Sequence, residues 1–443
     1  MENCFRSWSF PFAGLAGILS RPKTARTRKE LILPLLRALL CFGQLLACSV
    51  ADAATAFTMK QGLNLDLWTT WPGPERWDED AVLAKFPEWR QDTSIDNLKD
   101  IRAAGFDFVR MPIDPAIFLE DASGKRVTRL IAATIETVDM IHEAGLKVIV
   151  DFHSIPSDVR KVGTNQVLAD NDLFARYLDA VARVGTALST TDPATTAFEP
   201  FNEPVIDCDP TLFPKWPSLL KRLHAAARKA APNHTLVLSG SCWSSAYGLA
   251  KIDPALIADE NVIWTFHSYE PYILTHQGAD WTGDSMSYVE GLPYPPDLMG
   301  EEAFDERLAA VRKTIETNAP EERREELLTG FNEMAGGVMS YKQVLTMLNE
   351  PFDNAEAWGK KHNIPPERIF LGEFGMIRQE YRKEFRMPSP WRATYLKDMT
   401  DAAQQRGFPW SVWSWGGAFG ITLDDDKRIL DPVILKGLGL KPQ

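Results

Sequence analysis

Eight short apolar runs recur along the chain, each separated from the next by a longer helix-like stretch. They read Lys60–Leu65, Phe106–Met111, Lys147–Phe152, Thr196–Phe201, Thr235–Ser239, Val262–His267, Arg368–Gly372 and Trp410–Trp415. The runs are nearly continuous in apolar residues, the pattern of strands buried on both faces of a parallel sheet. Between them lie amphipathic stretches closed by glycine, such as Ile95–Ala104 before Gly105 and Ile131–Ala144 before Gly145. A helix stopped by Gly and followed at once by a strand is the mark of a repeated βα unit. Eight such units predict an α/β fold of the (β/α)8 TIM barrel type, closed by a last helix near Pro432–Leu438. An open doubly wound sheet competes, but no Gly-x-Gly-x-x-Gly follows the first strand.

The longest stretch between predicted strands runs from Glu270 to Glu367. It holds a Pro/Gly-rich segment, Gly291-Leu-Pro-Tyr-Pro-Pro296, and then charged helices such as Phe304–Thr317. A connection of this length inside a barrel predicts an inserted loop with helices of its own. Residues 57–443 are read as one barrel domain and residues 1–56 as a leader. In the leader Arg21, Lys23, Arg26, Arg28 and Lys29 precede an apolar run, Ala38–Val50, and Ala51-Asp52-Ala53 supplies a small-residue cleavage signal. These features predict a signal peptide, and so a secreted or periplasmic protein. The apolar run is too short for a comfortable membrane span. Leu46-Ala47-Cys48-Ser49 loosely resembles a bacterial lipoprotein box, so lipid anchoring at Cys48 is the lesser alternative.

The chain carries a formal net charge of −12. No basic stripe is present for nucleic acid or an anionic membrane, which points to a neutral partner. A monomer is expected. Of five cysteines, Cys4, Cys41 and Cys48 fall in the leader. Cys208 follows the Asn-Glu-Pro turn, and Cys242 follows the strand Thr235–Ser239. Neighbouring parallel strands would bring both to one rim, within bridging reach, and export permits the bond. A disulfide is the expectation, and two separate buried thiols are the alternative.

Chemistry concentrates at the predicted C-terminal strand ends, where barrel enzymes place their working side chains. Glu203 closes Phe-Glu-Pro-Phe-Asn-Glu-Pro (198–204), and Glu373 closes Ile-Phe-Leu-Gly-Glu (369–373). A carboxylate at the end of a buried strand is costly to desolvate unless its position has a use. The other strand ends offer Asn64 with Trp68, Arg110, Asp151 with His153, Asn202, His267 with Tyr269, and Trp413. Paired carboxyl groups cleave glycosidic bonds, and the 14 tryptophans suit stacking on sugar faces. Arg110 and Tyr269 are candidates for keeping Glu373 ionised. Asp151 reads as a buttress of its strand. Asp151, His153, His267 and Glu373 can be imagined as metal ligands, but no His-x-His follows the first strand and Asn-Glu-Pro would go unexplained; no metal or cofactor is expected.

The set Arg110, His153, Asn202-Glu203, His267-Ser-Tyr269, Glu373 and Trp413, in that order, resembles glycoside hydrolase family 5, the cellulase-like retaining β-glycanases, from about Phe57 to Leu440. The resemblance implies Glu203 as acid/base, Glu373 as nucleophile, and retention of configuration. It implies that Arg110, His153, Asn202, His267, Tyr269 and Trp413 line the subsite at the scissile bond, and Asn64 and Trp68 join them as rim residues. The expected activity is endo-hydrolysis of a polysaccharide, β-1,4-glucan first, with mannan, β-1,3-glucan and trimming of an exopolysaccharide as alternatives. A sugar-binding barrel without catalysis is the non-enzymatic reading, and it would require one of the two glutamates to be missing.

Overall fold

Parallel strands β1 (Gln61–Asn64), β2 (Phe108–Ile113), β3 (Lys147–Phe152), β4 (Thr196–Glu199), β5 (Thr235–Ser239), β6 (Val262–His267), β7 (Ile369–Glu373) and β8 (Trp410–Val412) pair in sequence order, and β8 pairs back onto β1 to close a barrel. This is a computed structural model; it describes residues 57–65, 93–120, 124–153, 162–212, 214–424, 426 and 428–441, with isolated positions between 66 and 92. Helices between and after the strands include α1 (Ile95–Ala104), α2 (Lys125–Glu143), α3 (Asn171–Leu188), α4 (Trp216–Ala230), α5 (Ala246–Ala250), α6 (Glu301–Asn318), α7 (Arg324–Gly336), α8 (Tyr341–His362), α9 (Ser389–Arg406) and α10 (Pro432–Gly437). Among the described residues no helix is long and apolar enough to cross a membrane.

Local chemistry explains the repeat. Ser94 caps α1 in a capping box with Asn97, and Gly105 ends the helix at φ 114°, a left-handed conformation that costs glycine nothing. The next strand starts at Phe108, two residues later than its apolar run. Asp107 is taken up as a brace instead, its carboxylate accepting from the backbone N–H of Gln61 at 2.7 Å. β4 stops at Glu199, two residues earlier than expected, where Pro200 has no N–H to continue the ladder. β7 extends to Glu373, and β8 ends at Val412, so Trp413 lies just beyond it.

Alternation along the strands sorts the barrel interior into layers. The lower one joins Phe108, Ile149, Ala197, Val237, Ile263 and Phe370, with Phe57 and Met59 against it. Gly62 leaves the space that the Phe108 ring fills, since a Cβ there would lie 2.3 Å from the ring. Two residues further along the same inner face come Asn64, Arg110, Asp151, Glu199, Ser239 and Thr265, all buried. The core thus turns from apolar to polar toward the C-terminal mouth.

The β6–β7 ladder is irregular at its C-terminal end. It pairs Phe266 with Leu371 but His267 with Glu373, a bulge that makes Gly372 the extra residue. A bulge re-aims the side chain after it. A Cβ at Gly372 would lie 2.4 Å from Thr265 Oγ1 and 2.9 Å from His267 Nε2, so only glycine fits there. The insertion between β6 and β7 carries α6, α7 and α8, as the length of that connection predicts. Asp398 on α9 ties it down, accepting from the hydroxyls of Tyr294 at 2.8 Å and Tyr341 at 2.7 Å.

Candidate active site

Arg110 is the hub of the polar layer. Its Nε and Nη2 donate to the two oxygens of Glu199 at 2.6 and 3.0 Å, a bidentate pair. Nη2 also donates to Asn202 Oδ1 at 2.7 Å and lies 3.1 Å from Asp151 Oδ2. Nη1 donates to Asn64 Oδ1 at 3.0 Å and to Glu373 Oε1 at 2.7 Å. Burial works against the Arg110 charge, but Asp151, Glu199 and Glu373 outweigh it and push the guanidinium well above its usual range. The other oxygen of Glu373 accepts from the Tyr269 hydroxyl at 2.9 Å. Both oxygens of the buried Glu373 are therefore held, one by a cation and one by a neutral donor.

Glu203 has a different setting. It follows β4 by four residues and takes a left-handed backbone conformation, φ 47°. Its Oε1 lies 2.8 Å from His267 Nδ1. Burial raises its carboxyl to about 7, against the opposing pull of His153 and Arg110. Burial also lowers His267 to about 4, against the pull of Glu373, so the imidazole is neutral near pH 7. A neutral ring can accept from Glu203 when it is protonated and donate to it when it is ionised, by exchange of tautomer.

The nearest donor atoms of Glu203, His267 and Glu373 all lie within 4.8 Å of one another. Two carboxylates and an imidazole are metal-ligand types, yet each is already engaged. Glu373 is held by Arg110 and Tyr269, and Glu203 and His267 hold each other. On the opposite side His153 Nδ1 contacts Asp151 Oδ2 at 2.8 Å, and its ring stacks on Trp413 with centroids 5.3 Å apart and planes 5° apart. Burial raises Asp151 to about 7 despite Arg110, and burial lowers His153.

The structure gathers His153, Asn202, Glu203, His267, Tyr269, Glu373 and Trp413 at one mouth, with Arg110 directly beneath them; Trp68 lies outside the described residues. Two of the expected residues lie deeper than the rest. Asn64 and Arg110 are wholly buried, one layer beneath the mouth. Asn64 Nδ2 donates to the carbonyl of Gly372 at 3.1 Å and of Val412 at 3.2 Å, so the residue braces the bulge and β8. Arg110 holds the carboxylates of Asp151, Glu199 and Glu373 together. Glu199, the partner of Arg110, escapes the sequence reading. Its signal is parity: it stands two residues after Ala197 on the inner face of β4, four before Glu203.

Cys208 and Cys242 are bridged, with Cα atoms 4.8 Å apart, in agreement with the expected disulfide. Trp243 and Trp281 stand about half exposed near the mouth.

A barrel with paired carboxyl groups in contrasting surroundings is the arrangement that glycoside hydrolysis uses. The chain belongs to the cellulase family, glycosyl hydrolase family 5, whose family model matches residues 69–419. It is 26% identical over 246 residues to Endoglucanase 3 of Fibrobacter succinogenes, covering 55% of this chain and 33% of that protein. It is 27% identical over 251 residues to Endoglucanase C of Acetivibrio thermocellus, covering 56% of this chain and 68% of that one. The match thus spans a third of the first relative and about two thirds of the second. Among solved structures, Thermotoga maritima Cel5A with mannotriose superposes with a TM-score of 0.57 at 20% identity, over 87% of this chain and 99% of that one. The cellulose synthase subunit Z of Clostridioides difficile gives 0.58 at 20% identity, over 86% and 99%. At that identity the likeness is one of fold.

Proposed function

We propose that the protein is an exported endo-β-glycanase that hydrolyses β-1,4-glucan by double displacement with retention. The observation that carries this is the closeness of two carboxyl groups in opposite settings. Glu373 is bound by Arg110 and Tyr269, while burial holds Glu203 at about 7. Separations of ~5–5.5 Å between carboxyl groups belong to retaining enzymes, and ~6.5–9.5 Å is needed to seat a water for inversion. Nearest ligand atoms within 4.8 Å agree with the shorter separation.

In the first step the Glu373 carboxylate attacks the anomeric carbon and the bond to the leaving oxygen breaks. Glu203 passes its proton to that oxygen, leaving a glycosyl–Glu373 ester and an ionised Glu203. In the second step Glu203 takes a proton from water, the water oxygen attacks the anomeric carbon, and the Glu373 carboxylate departs. Both groups return to their starting states. His267 stays in contact with Glu203 through both, since its neutral ring serves either protonation state. Trp413, partly exposed and stacked on His153, offers an apolar ring face for a sugar.

Relatives named endoglucanases support glucan as the substrate, and the leader supports export. The test is hydrolysis of soluble β-1,4-glucan, mixed-linkage glucan, β-1,3-glucan and β-mannan, with product anomers followed by proton NMR before mutarotation. The expected result is cleavage of β-1,4-glucan to short oligomers whose new ends appear first as β. An α product would exclude retention, and cleavage of mannan alone would exclude glucan.

A further inference from the structure

Outside glycine, eight described residues have positive φ, and five of them lie in two facing segments: Glu203 (47°) and Asp207 (63°) after β4, and Cys242 (54°), Trp243 (55°) and Ser244 (53°) after β5. Side chains other than glycine occupy this region at a cost, so the surroundings must impose it. No sheet ladder does so, since both segments lie past their strands. Cross-ties between the segments do. The Glu203 N–H donates to the buried Ser244 Oγ at 3.2 Å, Trp243 N–H to the Pro204 carbonyl at 3.1 Å, and Cys242 N–H to the Ile206 carbonyl at 2.9 Å. The Cys208–Cys242 bond closes this row at the end away from Glu203. Asp207 then anchors the first segment to the start of α4, accepting from the N–H groups of Lys215 at 2.9 Å and Trp216 at 2.7 Å. Glu373, by contrast, is the last residue of β7, and its carboxylate is held by Arg110 and Tyr269.

We infer that Cys208, Cys242 and Ser244 are positioning residues for proton transfer. Their cross-ties hold the Glu203 backbone left-handed and its partly buried carboxyl against His267. Cutting the disulfide therefore impairs protonation of the leaving oxygen more than attack by Glu373. This rests on the reading of Glu203 as acid/base.

The experiment measures kcat/KM on aryl β-cellobiosides of rising leaving-group pKa, and the pH profile, for wild type, Cys208→Ser/Cys242→Ser, Ser244→Ala and Glu203→Ala. For the double cysteine variant a loss within about twofold is expected on the dinitrophenyl substrate and about tenfold on the phenyl substrate, as general-acid help matters only for poor leaving groups. Its alkaline limb should move below that of wild type, as Glu203 gains solvent. Equal loss across the series with an unmoved limb, or no loss, overturns the inference. Should the double variant fail to fold, Ser244→Ala, which keeps the bridge, must show the same split, and an even loss there overturns it. Glu203→Ala separates the two layers: a flat series in that variant refutes the acid/base reading. A steep series there with a flat one in the cysteine variant refutes the positioning role alone.

Discussion

The end of β7 and the turn after β4 deliver a carboxyl group to the same point by opposite means. Glu373 is carried on a strand, re-aimed by the bulge at Gly372 and fixed by Arg110 and Tyr269. Glu203 is carried on irregular backbone at positive φ, tied to a neighbouring loop and to one neutral imidazole. The first setting supplies charge compensation through Arg110, while burial raises the Glu203 carboxyl to about 7, which suits it to carry a proton. Two identical side chains are given different jobs by the backbone beneath them.

The largest effect should come from Glu373→Gln, which removes the nucleophile but keeps the size of the side chain. Turnover of a dinitrophenyl cellobioside should fall by about 10⁴-fold or more, the scale on which loss of a nucleophile acts. A variant retaining a tenth of wild-type activity would break the comparison at the strand-borne carboxylate. Arg110→Met comes next. It leaves Glu199, Asp151 and Glu373 clustered without their shared cation, and breaking a buried pair costs about 3–5 kcal/mol. The thermal midpoint should drop sharply, and an unchanged midpoint would show that the hub is dispensable.

Legibility in the sequence divides the same way. The strand-borne part is readable, because continuous apolar runs with glycine stops report burial directly; β3, β5 and β6 begin and end where their runs do. The contacts of Arg110 and Tyr269 with Glu373 follow from asking what could keep a buried carboxylate charged. The loop-borne part is less readable. The positive φ of Glu203 and the cross-ties to Ser244 depend on contacts between segments about 40 residues apart, which no local pattern encodes. Glu199 is hidden by its neighbour, since Asn-Glu-Pro draws attention four residues too late. Asn64 and Arg110 belong to the mouth but one layer lower than the strand ends suggest, because strand parity gives the face of the sheet and not the depth.

Smaller tests sharpen the contrast. Tyr269→Phe removes one donor from Glu373, and a hydrogen bond to a charged group contributes about 1.5–3 kcal/mol, so kcat should fall about ten- to a hundredfold. A similar fall on substrates of good and poor leaving groups alike would place Tyr269 with the nucleophile, and a fall confined to poor leaving groups would move it to the acid. Glu203→Gln tests the effect of burial by stability. Its folded carboxyl, at about 7, titrates above the ordinary 4.5, so the folded state binds the proton more tightly than the unfolded one. Stability from this group is full below about 4.5 and is lost as pH rises through about 7. The variant should gain thermal stability over wild type at pH 8 and little at pH 5. An equal gain at both would show that Glu203 is not burdened by its burial.

The most direct measurement of the central claim is covalent trapping. A 2-deoxy-2-fluoro-β-cellobioside with a dinitrophenyl leaving group slows both steps but keeps the first faster than the second, so the glycosyl–enzyme accumulates. Peptide mass spectrometry should find the sugar on Glu373, with loss of activity in step with labelling. Sugar on Glu203, or inactivation without any ester at Glu373, would contradict the assignment of the two carboxyl groups.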